Sequence, residues 1–181
     1  MARTEQRPLE TVITLVLEDA DPALAEAHRE LYPERIAEHI PFSLTLLYPW
    51  MPAAEVSETD LEELRTFFGE RSPFEFELTR VDEFPGLVAY AVPEPDDELR
   101  ALMRALWAKY PQYPRYGIPD HEPPPHATLG RYKGDSPITL ERARERVEPL
   151  LPVRCTVTEA TLIEEYELDR MRIRETFPLR G

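Results

Sequence analysis

The chain has 181 residues and sets 21 Lys and Arg against 35 Asp and Glu, for a formal net charge of −14. Long nucleic acids are held by neutralising their phosphates with Lys and Arg, so this balance excludes an extended nucleic-acid groove and leaves a small nucleotide or an RNA end in a local basic pocket. Hydrophobic content of 42% beside 31% charged residues is that of a globular protein with a sizeable core, read as one unit over residues 1–181 built of two lobes.

A single cysteine, Cys155, excludes an internal disulfide framework. In the alternating run VRCTVT it reads as a buried structural thiol in a reducing compartment. No apolar run approaches the ~18 residues needed to cross a membrane, and MARTEQRPLE lacks the apolar core of a signal peptide. The expectation is a cytoplasmic protein with no membrane partner.

TVITLVLE, Thr11 to Glu18, is an almost unbroken β-branched and leucine run, and predicts a buried central strand. Asp21 and Pro22 then offer an N-cap and a first helical position, and Leu24, Ala27, Leu31 and Tyr32 follow at helical spacing. His28 falls inside this helix as a packed or solvated residue. Pro33 to Pro41, which contains His39, reads as a connector into a strand from Phe42 to Tyr48. Ser57 caps another helix, with Asp60 at its third position. FEFELTRV, Phe74 to Val81, alternates strictly, turns at Pro85-Gly86 and returns over Leu87 to Val92 as a hairpin. On a helix from Glu94 to Tyr110, Leu99, Leu102, Met103, Leu106, Trp107 and Tyr110 fall on one core-facing stripe. A proline- and tyrosine-rich loop, Pro111 to Pro125, leads into a strand from His126 to Tyr132. A helix capped by Thr139 runs to about Leu150, and strands Val153 to Tyr166 and Arg170 to Leu179 close the chain. Hairpins outnumber crossovers, which favours antiparallel α+β over a doubly wound parallel sheet. The spacing predicts two lobes, each a small antiparallel sheet with helices on its outer face.

PPPHATLGRY, Pro123 to Tyr132, carries the sharpest chemistry. His126 and Thr128 stand two apart, so on a strand both side chains share one face and can hold a phosphate or carbonyl between them. Imidazole exchanges a proton near neutral pH, and the hydroxyl hydrogen-bonds the anion. A lone His-x-Thr on a strand is more often a packing choice, since Thr is a strand former. An upstream echo adds weight: PFSLTLLYPW, Pro41 to Trp50, repeats the outline with Thr45 in the place of Thr128. Ser43 stands where His126 would be. The two strands are expected to face each other across a groove between the lobes. On a straight strand Arg131 points away from His126, and reaches the groove only if Gly130 permits a bulge. Tyr48, Trp50 and Tyr132 flank these strands and either stack on a base or pack in the core.

The order of elements, the strand-borne His-x-Thr, HATLGR, LTLLYPW and the ending RETFPLRG resemble the two-histidine phosphoesterase superfamily, in its bacterial 2′-5′ RNA ligase-like group. The resemblance covers nearly the whole chain, Thr11 to Leu179. It implies a bilobal α+β fold with pseudo-two-fold symmetry about a central groove. It also implies metal- and cofactor-free hydrolysis of a 2′,3′-cyclic or 2′-5′ phosphodiester on a small nucleotide or RNA terminus. By resemblance His126 is a catalytic imidazole, Thr45 and Thr128 contact the phosphate, and Arg131 matches a basic position after the second motif. The departure is Ser43, where the family has its first histidine.

That departure matters because in-line hydrolysis uses one imidazole to deprotonate water and another to protonate the leaving oxygen, each contributing about 10²–10⁴-fold. A serine hydroxyl with no base beside it can bind phosphate but cannot exchange protons near pH 7. His39 lies four residues before Ser43, about 13 Å along a strand at roughly 3.3 Å per residue, and comes nearer only through a bend at Pro41. His121, in the proline-rich loop, could fold back over the groove. Three readings follow: a two-histidine-type phosphoesterase slowed by Ser43, a nucleotide- or phosphate-binding protein without turnover, and a retained fold alone.

Overall fold

A computed structural model describes residues 7–133 and 138–181; the first six residues of the MARTEQRPLE segment lie outside the described part. In chain order the strands are β1 (Thr11–Val16), β2 (Ser43–Leu47), β3 (Phe74–Phe84), β4 (Val88–Glu94), β5 (Ala127–Arg131), β6 (Val153–Val157), β7 (Glu159–Glu167) and β8 (Arg170–Pro178). The helices are α1 (Pro22–Leu31), α2 (Pro33–Ala37), α3 (Glu58–Gly69), α4 (Asp97–Lys109) and α5 (Leu140–Val147). The α+β expectation holds, with every strand pair antiparallel. The expected pair of separate sheets is corrected: among the described residues the strands form one eight-stranded sheet in the order β6-β3-β4-β5-β2-β1-β7-β8.

One residue, Thr158, separates β6 from β7, although six strand spacings lie between them in that order. At about 4.8 Å per spacing a flat sheet would hold them nearly 30 Å apart, so the sheet curls until its ends approach. The terminal segment fastens this closure: the Leu179 N–H donates to the Thr158 carbonyl at 2.8 Å and the Gly181 N–H to that of Arg71 at 3.0 Å. The single strand expected from Val153 to Tyr166 is therefore two strands with different partners, β6 on β3 and β7 on β1.

Local chemistry sets the helices. Asp21 accepts from the Leu24 N–H with Pro22 at the first position, Ser57 and Asp60 close a capping box, and Thr139 accepts from the Arg142 N–H. Helix α4 lies against β2, α5 against β3, α3 against β8, and α1 against both β5 and α5. Period-two alternation sends Leu44, Leu46, Ala127 and Leu129 into the core and leaves Ser43, Thr45 and Thr128 half-buried on the other face. Each buried leucine contributes about 2 kcal/mol, so the register that aims the hydroxyls outward is set by the core. Cys155 is buried, and loss of water pushes its thiol pKa up to about 12, consistent with an inert structural residue.

The segment read as a connector, Pro33 to Pro41, begins as helix α2, which carries Arg35. His28 is packed: its ring lies 5.0 Å from that of Phe42 and 5.9 Å from that of Tyr32. Burial, then the charges of Arg35 and Arg29, lower its pKa from 6.5 to about 4. The unfolded chain thus binds a proton that the native chain refuses between those values. Stability is full above pH 6.5 and falls as pH drops towards 4, by about 3 kcal/mol from this residue. Melting temperatures measured from pH 7 to pH 4.5 should fall more gently in His28→Leu than in the wild type.

Candidate functional site

Strands β2 and β5 are neighbours at the centre of the sheet, registered with Leu44 opposite Ala127. They form the floor of a groove, which corrects the expectation that they face each other from opposite walls. Continuing that register by one residue each way puts Thr45 beside His126 and Ser43 beside Thr128, all four on the groove face. Direct neighbours have Cβ atoms about 5 Å apart and diagonal ones about 7–8 Å. Positions 43 and 126 are thus a diagonal pair with room for one phosphate between them.

A bulge places Arg131. Ala89 pairs with Gly130 but Tyr90 pairs with Thr128, so Leu129 has no opposite number on β4. Arg131 then stands opposite Val88, which shares the groove face with Tyr90 and lines the groove itself. The extra residue reverses the parity that would have turned Arg131 away. Gly130 serves close approach: a Cβ there would run into Ile138 Cδ1 and lie 3.0 Å from the Leu31 carbonyl oxygen. Gly130→Ala is expected to destabilise by about 1–3 kcal/mol, read as a lower urea midpoint.

The groove encloses about 900 Å³. Its floor carries Ser43, Thr45, His126, Thr128 and Val12; Tyr48, Arg131 and Tyr132 also line it. Its walls are α2 and the residues after it, the tip of the β3–β4 hairpin, the β7–β8 turn, and the loop through Tyr116, His121 and Pro124. Arg35 and Arg131 have no carboxylate partner among the described residues; Arg35 only lies over the Tyr32 ring, 5.4 Å from its centroid. In a chain of net charge −14 most other arginines are tied to carboxylates, so these two are left to meet an anion over the floor, between walls that also carry Glu10, Glu34, Glu38, Glu165 and Asp169.

His126 is 7% exposed, with its ring against Phe84 (5.0 Å), Tyr90 (5.4 Å) and Tyr116 (6.5 Å). Burial lowers its pKa below 6.5, helped by the charge of His121 and opposed by the Pro124 carbonyl. The imidazole is therefore neutral at pH 7. Nδ1 lies 2.8 Å from that carbonyl, which only accepts, so Nδ1 carries the proton. Nε2 is left with a free lone pair, the form a general base requires.

The flanking side chains divide. Tyr48 donates to Glu10 at 2.5 Å and Tyr132 to Glu83 at 2.8 Å; burial and these carboxylates push both phenols up to about 12. Their rings still line the groove. Trp50 does not: it is 3% exposed and packs in the core, 5.4 Å from Tyr110. His39, exposed at φ 60, is outside the groove, whereas His121 lines it. Glu165 anchors one wall: burial would raise its pKa, but two Arg7 contacts at 2.7 Å and the N–H groups of Glu10 and Asp169 hold it low. Among the described residues no three His, Cys, Asp or Glu are grouped to hold a metal ion, and no helix is long and apolar enough to cross a membrane.

Arg35 and Tyr116 are among the groove residues that the sequence reading missed. Neither belongs to a local motif, and both arrive by long-range folding. The left-handed backbone of Tyr116 (φ 53), in a loop that precedes the motif, has no sequence signal because tyrosine does not favour it.

The model of the 2′-5′ RNA ligase superfamily matches residues 13–169, which includes both strands of the groove floor. The chain belongs to the 2′-5′ RNA ligase superfamily. It is a member of the two-histidine phosphoesterases, the family that HATLGR and LTLLYPW resemble. No curated protein matches it. Among solved structures it is similar to TT0787 of Thermus thermophilus, at 24% identity and a TM-score of 0.61, over 95% of this chain and 98% of that one. It is also similar to E. coli LigT complexed with 3′-AMP (19% identity, TM-score 0.54) and with NADP+ (19%, 0.53), each over 97% of this chain and 100% of LigT. At these identities the likeness is one of fold. That likeness of fold runs over nearly the full length of the chain.

Proposed function

We propose that this superfamily member is a metal-independent phosphoesterase of small nucleotides or RNA ends, opening a 2′,3′-cyclic or 2′-5′ phosphodiester. One observation carries the reading. A buried neutral imidazole with Nε2 free stands beside two threonine hydroxyls on one strand face, under Arg35 and Arg131. In this reading Thr45, Thr128 and Ser43 hold the phosphate and Arg131 offsets its charge. His126 Nε2 takes the proton from the attacking water. Tyr48 and Tyr132 border the base, and Ser43 slows the reaction. The LigT complexes with 3′-AMP, NADP+, ATP and phosphate support a groove for small phosphorylated ligands in this fold. The order of strands on either side of the β5–β2 pair supports a pseudo-two-fold relation between two halves of one domain, residues 1–181. A cytoplasmic location belongs to the same proposal.

The test is turnover of a 2′,3′-cyclic nucleotide with a chelator present. Release of a monophosphate supports the reading. A second reading, binding without turnover, is favoured by Ser43. It predicts a rise in melting temperature with nucleotide by mass action and an unchanged substrate. No turnover and no shift would overturn both.

A further inference from the structure

We propose that Tyr116 is the second proton-transfer group of the groove: its hydroxyl protonates the oxygen that leaves phosphorus, the task for which position 43 has no imidazole. The inference rests on the phosphoesterase reading and assigns a residue outside both threonine motifs.

The Tyr116 N–H donates to the Tyr48 carbonyl at 2.6 Å, which fastens the residue to the end of β2. Its ring lies 6.0 Å from Tyr48, 6.2 Å from His121 and 6.5 Å from His126, and Thr45, which lines the same groove, is near enough to its hydroxyl to favour the phenolate. The phenol therefore lies along β2 and ends over the threonine that adjoins His126. A phosphate resting on Thr45 and Thr128 would have both the imidazole and the phenol within reach. The backbone supports a specific demand for this side chain: Tyr116 is left-handed at φ 53, a conformation that aromatic residues disfavour, and the glycine comes only at 117. Although 39% of the residue is exposed, loss of water around it raises its pKa above 10. It enters the reaction protonated, as an acid must. Arg35, Thr45 and Arg131 favour the phenolate, so the charge left behind is met where it forms.

The step balances. Water gives one proton to His126 Nε2 while its oxygen bonds to phosphorus. The bond from phosphorus to one ribose oxygen breaks, and that oxygen takes the Tyr116 proton. Solvent returns the proton from the imidazolium to the phenolate, and the net reaction adds one water to the phosphodiester.

The test varies the leaving group. An alkoxide needs a proton as it departs; a nitrophenolate does not. Tyr116→Phe keeps the ring, so melting temperature should change little. It should lower kcat on a 2′,3′-cyclic nucleotide by about 10²-fold, remove the alkaline limb of the pH profile, and cost less than about 5-fold on a nucleoside nitrophenyl phosphodiester. Equal losses on both substrates would mean that Tyr116 only shapes the groove, and the proposal falls. A leaving-group-selective loss in His121→Gln but not in Tyr116→Phe would overturn it in favour of His121. Wild type inert on both substrates would instead remove the phosphoesterase reading, and the proposal with it.

Discussion

His126→Asn is expected to lower turnover of a 2′,3′-cyclic nucleotide by about 10³-fold while the fold survives. The asparagine amide can still donate to the Pro124 carbonyl, as Nδ1 does now. What disappears is Nε2, the basic nitrogen of the groove floor at neutral pH. A positioned general base contributes about 10²–10⁴-fold, which sets the size of the loss. The smaller side chain leaves space beside Phe84 and Tyr90, so a fall of a few degrees in melting temperature should accompany it. The pH profile separates this from a packing defect. The His126 pKa is lowered from 6.5, so the base is free at pH 7 and wild-type activity declines only as pH drops through that lowered value. That acid limb should be missing from His126→Asn. A variant with near-wild-type turnover would place the chemistry elsewhere.

Ser43→His is expected to raise turnover by up to about 10²-fold. The register sets position 43 beside Thr128 and diagonal to His126, a separation of about 7–8 Å that suits two imidazoles on either side of one phosphorus. An imidazolium gives up its proton near pH 7 more readily than a phenol does. The gain should vanish in Ser43→His combined with His126→Asn, because acid and base act as a pair. It should be larger against a Tyr116→Phe background, where no other acid competes. If Ser43→His is folded yet stays inactive, the groove has diverged beyond this one residue, and the binding reading gains.

Much of this was legible because the chain states its periods plainly. Alternation in FEFELTRV, the stripe from Leu99 to Tyr110 and the caps at Asp21, Ser57 and Thr139 are local signals, and local structure followed them. His126 and Thr128 share a face because a strand has a period of two. Long-range facts were less accessible. Whether strands form one sheet or two depends here on the Leu44–Ala127 pairing, which no pattern within either strand announces. Alternation ran on through Thr158 with no glycine or proline to break it, so β6 and β7 read as one strand. Arg131 turned on a single extra residue, Leu129, opposite β4. Arg35 and Tyr116 came from a five-residue helix and a left-handed loop position, and their place is set by what the core does to distant segments.

The account turns on phosphate resting between His126 and the two threonines, and imidazole nitrogen NMR during a titration with a nucleoside 3′-monophosphate tests that directly. Nδ1 of His126 should stay protonated on Pro124 while the Nε2 resonance moves with saturation, and Thr45→Val with Thr128→Val should weaken binding about tenfold or more. A nucleotide that binds while both His126 nitrogens stay unmoved, with affinity untouched by the threonine substitutions, would contradict the account.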